Sequence, residues 1–599
     1  AALATMQTLG VCTAPTGVFA VSRFNVDFGG RGEDHDRETY RVVAGLEGKF
    51  NDDWRYELAV NYGRLETSMT SLNNLRLFDL QGNDDGFLLA IDAVRNAAGQ
   101  IVCGVNADAD ASNDKPSCVP INVFGSGAPS KEALAFVNTT AQREEWAKQF
   151  VVSGFVSGDS SDWFNLPGGA VGFAAGAEYR TEDSYSAYDE LTASGGTFLN
   201  AIQPFDPPKY TVKEYFGELR LPLLADKPLV RELTAELAAR SSDYNSATGT
   251  VSAYNLGLVW APVQGLRLRG NYSTSVRAPT PSDLYSPLSE NFAQISDPCD
   301  VLYIGTNPNR AANCAAAGVP VGFENTPARS ASTGFVSGGN PTLVEEEGRS
   351  ITLGAVITPT FLPGFAFSFD YYDITVNNLI ASLGAQTIIS ECYNSPAGIN
   401  NPYCATVNRN ADFTFAEPAV ISGGINFAKQ KTTGIDFDVS YVHSFDNGHK
   451  LQTRLIATKL MSLINYTNPS LPDYPNRQMN ELGDPDMAFN VNVGYTAGKL
   501  DLDYNLRYIG KQTIGAWETQ NSYAGRPPEN LDAYDRVYYP TAVYHAVRAA
   551  YDVNDNLQGY VGVDNLTDKQ PPLGLLGTAG GDPFDSIGRY FYAGFNYKL

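Results

Sequence analysis

The chain has 599 residues, of which 43% are hydrophobic and 18% charged, and a net charge of -24. That charge excludes nucleic acid as a partner, because phosphate backbones demand Lys/Arg patches. Mean hydropathy is -0.21, and no run approaches the ~18 continuous apolar residues of a transmembrane helix; this excludes a helical membrane protein but not a membrane β-barrel, whose alternating strands dilute the signal.

In chain order, the N-terminus "AALATMQTLG" has no basic n-region, initiator Met or cleavage motif, so it reads as a mature form or a fragment. Cys12 is either free or paired upstream of this chain. The stretch "GVFAVSRFNVDFGGRG" that follows leaves its topology open. From about residue 53, tight turns alternate strictly with long connections. The turns include "NDDW" (51–54), "APVQG" (261–265), "TAGK" (496–499) and "DVNDN" (552–556). The long connections cover 69–144, 182–208, 279–345, 380–419, 464–485, 513–540 and 567–587. Tight turns on the periplasmic side and long loops outside are the pattern of an up-and-down barrel in an outer membrane.

The first long connection holds three features. Cys103 and Cys118 are close in sequence, as are Cys299/Cys314 and Cys392/Cys404 in later loops. With no C-x-x-C and no His nearby, local disulfides are expected over metal ligation, which implies an oxidising compartment. "DADASND" spaces Asp108, Asp110, Ser112 and Asp114 like the start of a calcium loop. However, Asn113 and Val119 stand where the turn glycine and the bidentate Glu belong, which favours a solvated acidic loop. "APSKEALAFVNTTAQREEWAKQF" (128–150) has a helical pattern, read as a short helix packed on the loop or as a lid over the lumen.

Between connections the chain alternates with period two, the mark of half-buried strands. In 266–277, Leu266, Leu268, Gly270, Tyr272, Thr274 and Val276 share one face, opposite Arg267, Arg269, Asn271, Ser273, Ser275 and Arg277. Segments 487–495 and 500–509 divide likewise into apolar and polar faces. At the C-terminus Phe591, Ala593, Phe595, Tyr597 and Leu599 oppose Tyr592, Gly594, Asn596 and Lys598. Runs of about ten to fifteen residues suit tilted membrane-crossing strands. Such alternation gives roughly eighteen of them. The fold class is therefore all-β, a large antiparallel transmembrane barrel with long extracellular loops.

Several stretches carry a family resemblance in one consistent order. "YSTSVRAPTPSDLY", with Arg277 and Pro279, resembles the strand-end motif of TonB-dependent outer-membrane receptors. "GGNPTLVEEEGRSITLGAV" (338–356) and "FSFDYYDITVNNLI" (367–380) resemble the segments that follow it. "NFAKQKTTGIDFDVSY" (426–441), with Gly434 and Asp436, and "GYVGVDNLTDKQPP" (559–572), with Asn565 and Leu566, continue the series.

The resemblance implies a barrel of about 22 strands, even-numbered as such barrels are. It also implies an N-terminal plug domain, TonB–ExbB–ExbD-driven import, a bacterial outer-membrane location and a C-terminal assembly signal, here Phe595, Tyr597 and Leu599. Residues 1–599 are read as the C-terminal part of one barrel domain. The plug and roughly four first strands are expected outside this chain, either on another chain or cleaved from it.

His35, His443, His449 and His545 show no metal spacing, and no G-x-S-x-G, phosphate loop or H-E-x-x-H occurs. No enzyme activity and no cofactor is expected. The reading is uptake of a scarce or bulky solute, with a carbohydrate or other organic nutrient favoured over a siderophore. Its rivals are a passive porin and a surface binding protein or adhesin without transport.

Overall fold

Strands with one apolar and one polar face gain most by pairing with sequence neighbours, because a tight turn costs little closure entropy. The computed structural model, which describes residues 23–51, 53–199, 201–468, 472–513, 538–572 and 583–598, follows that rule. β1 (Glu33–Lys49), β2 (Arg55–Leu75), β3 (Asn138–Asp159), β4 (Gly172–Tyr188), β5 (Tyr210–Lys227) and β6 (Val230–Tyr244) pair antiparallel in order. β7 (Thr250–Val263), β8 (Leu266–Arg277), β9 (Glu346–Ile357), β10 (Phe365–Ser382) and β11 (Phe415–Ser444) continue the meander. β12 (Lys450–Tyr466), β13 (Met487–Ala497), β14 (Leu500–Ile509), β15 (Ala542–Asn554), β16 (Leu557–Asp564) and β17 (Tyr590–Tyr597) complete it.

The sheet counts 21 strands because short loop pieces join the seventeen of the meander. Among the described residues β1 pairs only with β2 and β17 only with β16, so the sheet keeps two edges.

One segment left open is now described in part, and two expectations need correction. The described residues before Glu33 form no strand. Phe28 N closes a turn onto the Asn25 carbonyl at 3.2 Å, and Gly29 at φ +98° turns the chain away from an extended path. The helix in 128–150 spans only Lys131–Val137, and β3 begins at Asn138, where the β-branched pair Thr139–Thr140 follows. The alternation of turns and long loops has one exception, at β6–β7. There Tyr244 N bonds Gly249 O at 2.9 Å, and Asn245 ties this short turn to Thr211 N and Lys209 O.

Burial is distributed as a membrane barrel requires. The strands expose apolar side chains such as Leu58, Leu256, Leu353, Leu502, Val561 and Phe595. The buried clusters lie instead in the long loops, at the end of the sheet where Arg277 and Glu346 sit. Lipid, not water, is the solvent that makes such an exterior stable.

Candidate functional site

Two sequence motifs meet at the loop end of the sheet. Arg277, the last residue of β8, donates from Nε to Glu346 Oε2 at 2.7 Å and from Nη2 to Glu346 Oε1 at 2.5 Å. Glu346 opens β9 directly opposite and also accepts Ile380 N at 2.9 Å. Pro279 cannot donate to the ladder; its carbonyl accepts Tyr210 Oη at 3.0 Å. Thr280 then caps the short helix Pro281–Tyr285, exchanging bonds with Asp283. Gly339 packs on that helix end so closely that a Cβ would lie 2.6 Å from the backbone of Leu284, Tyr285 and Ser286. Leu284 and Leu343 fill the core between them.

Of the other motif residues, Gly434 and Asp436 lie inside β11 and Asn565 and Leu566 just past the end of β16. Gly434 lies opposite Tyr372, whose hydroxyl occupies the space a Cβ would take. Asp436 accepts Thr458 Oγ1 at 2.7 Å. Asn565, buried at φ +46°, donates to Lys569 O and Asp585 Oδ2 and accepts Lys569 N. Leu566 N bonds His545 O at 2.7 Å while its side chain stays exposed. Phe595 and Tyr597 project from the apolar face of β17, and Leu599 lies outside the described residues.

The structure does not gather the calcium candidates. Asp108 accepts Asp110 N and Asn113 Nδ2, and Asp110 accepts Ser112 N and Oγ. The bonds from Ser112 hold the Asp110 carboxyl below its ordinary range. Among the described residues no three His, Cys, Asp or Glu side chains could share a metal ion. Asp108, Asp110, Ser112 and Asp114 lie on an exposed loop held by its own turn bonds.

Above the rim the long loops fold into bodies of their own. Residues 278–345 and 383–414 share one apolar cluster that contains both disulfides, Cys299–Cys314 and Cys392–Cys404. Arg409 bridges them: Nη2 and Nη1 reach Asp297 Oδ1 and Oδ2 at 2.7 and 2.8 Å, and Nε bonds Tyr393 Oη at 2.8 Å. Asn313 donates across the same seam to the carbonyls of Tyr393 and Ser395. Burial pushes the Asp300 carboxyl up, but the paired bonds from Arg329 and those from Leu302 N and Asn325 N outweigh it, so the group stays below its ordinary value. A second body forms around Cys103–Cys118, where Phe28, Ile121, Phe136 and Val137 pack together. None of these cross-loop ion pairs has a sequence signal; Arg409 and Asp297 are 112 residues apart.

The polar face of the sheet is laced with charge pairs. Arg269 reaches across β9 to Asp370 at 2.6 and 2.7 Å, passing over Gly354, whose Cβ would lie 1.9 Å from the carboxylate. Arg240 and Ser242 hold the buried Glu214, and Arg454 holds Asp438. Near the tight-turn end the wall forms a depression of about 900 Å³ lined by Lys49, Arg55, Ser157, Glu218, Arg220 and Glu236. Aromatic side chains on this face also sit over cross-strand glycines: Phe216 over Gly176 and Tyr372 over Gly434.

The model of the TonB dependent receptor-like β-barrel family matches residues 10–566. The chain belongs to that family. A TonB-dependent receptor of this type resides in the outer membrane of Gram-negative bacteria, so the apolar face meets lipid and the polar face lines the lumen.

One solved structure agrees on the fold, and others are similar in part. The outer membrane transporter YddB from Escherichia coli is 9% identical, with a TM-score of 0.52 over 95% of this chain and 64% of its own. The siderophore receptor PirA from Pseudomonas aeruginosa is 12% identical, with a TM-score of 0.45 over 94% and 70% of the two chains. The ferric-catecholate import receptor Fiu from E. coli K12 is 12% identical, with a TM-score of 0.45 over 90% and 61%. The chain thus spans less than two thirds of the length of YddB and of Fiu. Such identities speak for the fold alone. No curated protein matches the chain.

Proposed function

We propose that this TonB-dependent receptor barrel imports a scarce or bulky neutral organic solute, a carbohydrate in preference to a ferric siderophore. The observation that carries the reading is the pair of disulfide-stapled loop bodies standing over a polar lumen wall. A passive pore needs no such assembly at its mouth. The solute preference is supported by the charge of -24, which opposes anionic complexes, and by the aromatic and paired-charge surface of the lumen. No chemistry on the solute is part of the proposal.

Energy would come from the TonB–ExbB–ExbD complex, acting through a plug domain. The two sheet edges support further wall strands between β17 and β1, because an unpaired edge in lipid costs several kcal/mol per group. With β1 and β17 running in the same direction, an antiparallel closure takes an odd number of them.

Conductance of the full-length protein in a planar bilayer tests the transport mode. A closed, silent barrel is the expected result. A steady open channel would make the protein a porin.

A further inference from the structure

β16 and β17 contain a reciprocal pairing of glycine and tyrosine across the two strands. Gly562 stands directly opposite Tyr592, and Gly594 directly opposite Tyr560. Glycine inside a strand costs roughly 0.5–1 kcal/mol relative to Ala. Here each glycine is the seat of the tyrosine across from it. A Cβ on Gly562 would lie 2.2 Å from Tyr592 Cζ, and a Cβ on Gly594 would lie 2.4 Å from Tyr560 Oη. The two tyrosines are thus laid across the neighbouring strand on the lumen face.

Tyr590, two residues along the same face, continues the surface: its ring plane is 23° from that of Tyr592, with centroids 6.2 Å apart, and the side chain is 52% exposed. Polar groups flank the rings. Arg548 lies over the Tyr560 ring at 4.8 Å and reaches Asp503 at 3.5 Å. Gln558 and Asn596 sit opposite one another just below Tyr560.

We infer that Tyr590 and Tyr592, backed by Tyr560 beneath Arg548, form a stacking platform for pyranose rings of a neutral oligosaccharide on the lumen wall. A pyranose offers an apolar C–H face and a rim of hydroxyls. The tyrosines match the face; Arg548, Asp503, Gln558 and Asn596 match the rim as donors and acceptors. An anionic metal complex would gain little here, since Asp503 offsets Arg548. The platform rests on the carbohydrate reading of the cargo, and places one of its contacts in the translocation path, not in the outer loops.

The test is isothermal titration of the purified full-length protein with maltohexaose, cellohexaose and xylohexaose. The wild type should bind at least one of them. Y592A should weaken that binding about tenfold or more, the scale of a lost aromatic contact with its area, while Y592F, which keeps the ring, should lose no more than about threefold. G562A, which displaces the Tyr592 ring without removing it, should fall with Y592A. F591A, on the lipid face of the same strand, should bind as the wild type does. Retention of the heat-modifiable folded band in electrophoresis shows that each variant is assembled.

Affinity unaltered in folded Y592A and G562A, or no binding of any of the three glucans and xylans, overturns the platform. The transport mode fails separately: a permanently open channel that still binds glucan through Tyr592 refutes active import and leaves the platform standing.

Discussion

Arg409 and Asp297 illustrate how single residues hold the outer mouth together. Their bidentate pair is buried beneath two loops, with Asn325 Nδ2 and Cys299 N completing the carboxylate's bonds. Removing one partner strands the other, and such losses cost about 3–5 kcal/mol. R409M should therefore loosen the joint loop body by about that amount, read as lost amide protection in 293–330 and 385–415 by hydrogen exchange, while the strands keep theirs. Asp300 adds a pH dependence. Its folded pKa lies below the ordinary value of 3.8, so its stabilisation is complete above that value and is lost as pH falls through the folded pKa. Protection of the loop body should stay flat from neutral pH down to about pH 5 and decline below about pH 4; D300N should remove the acid-dependent part and lower the plateau. A decline centred near neutral pH would contradict this assignment.

At the scale of elements, each disulfide closes a loop of modest length, with separations of 15, 15 and 12 residues. Reduction should lower the local stability of the loop bodies by about 3 kcal/mol per disulfide in the chain-entropy account, read by hydrogen exchange or limited proteolysis, while the barrel stays heat-modifiable. The strands were the part most legible in the sequence. Lipid on one side and water on the other force an alternation, so Leu266/Arg267 and Met487/Ala488 already announce their faces. The loops were less legible, for a physical reason: their folding depends on contacts between distant segments. The run after Val137 has helical periodicity, yet pairing of β3 with both β2 and β4 decides it as strand. The motif residues could be listed from sequence, but that Arg277 closes on Glu346, 69 residues away, follows only from the register of β8 and β9. Glycine inside a strand weakens it, yet several here are seats for an arginine or a ring from the next strand.

At the scale of the whole molecule, an apolar exterior, a charge-paired lumen and capped loops form one polarised wall of an outer-membrane TonB-dependent receptor. In the import proposed here the loops would meet the solute first, the lumen face would offer contacts on the way through, and the TonB–ExbB–ExbD complex on the periplasmic side would supply the energy. Active import driven by that complex is the function proposed. Its most direct test is accumulation of a labelled neutral oligosaccharide by cells expressing the full-length protein, with and without a functional TonB–ExbB–ExbD complex. Accumulation above the external concentration that vanishes when the complex is deleted is the result expected. Uptake that is undiminished by the deletion would contradict it.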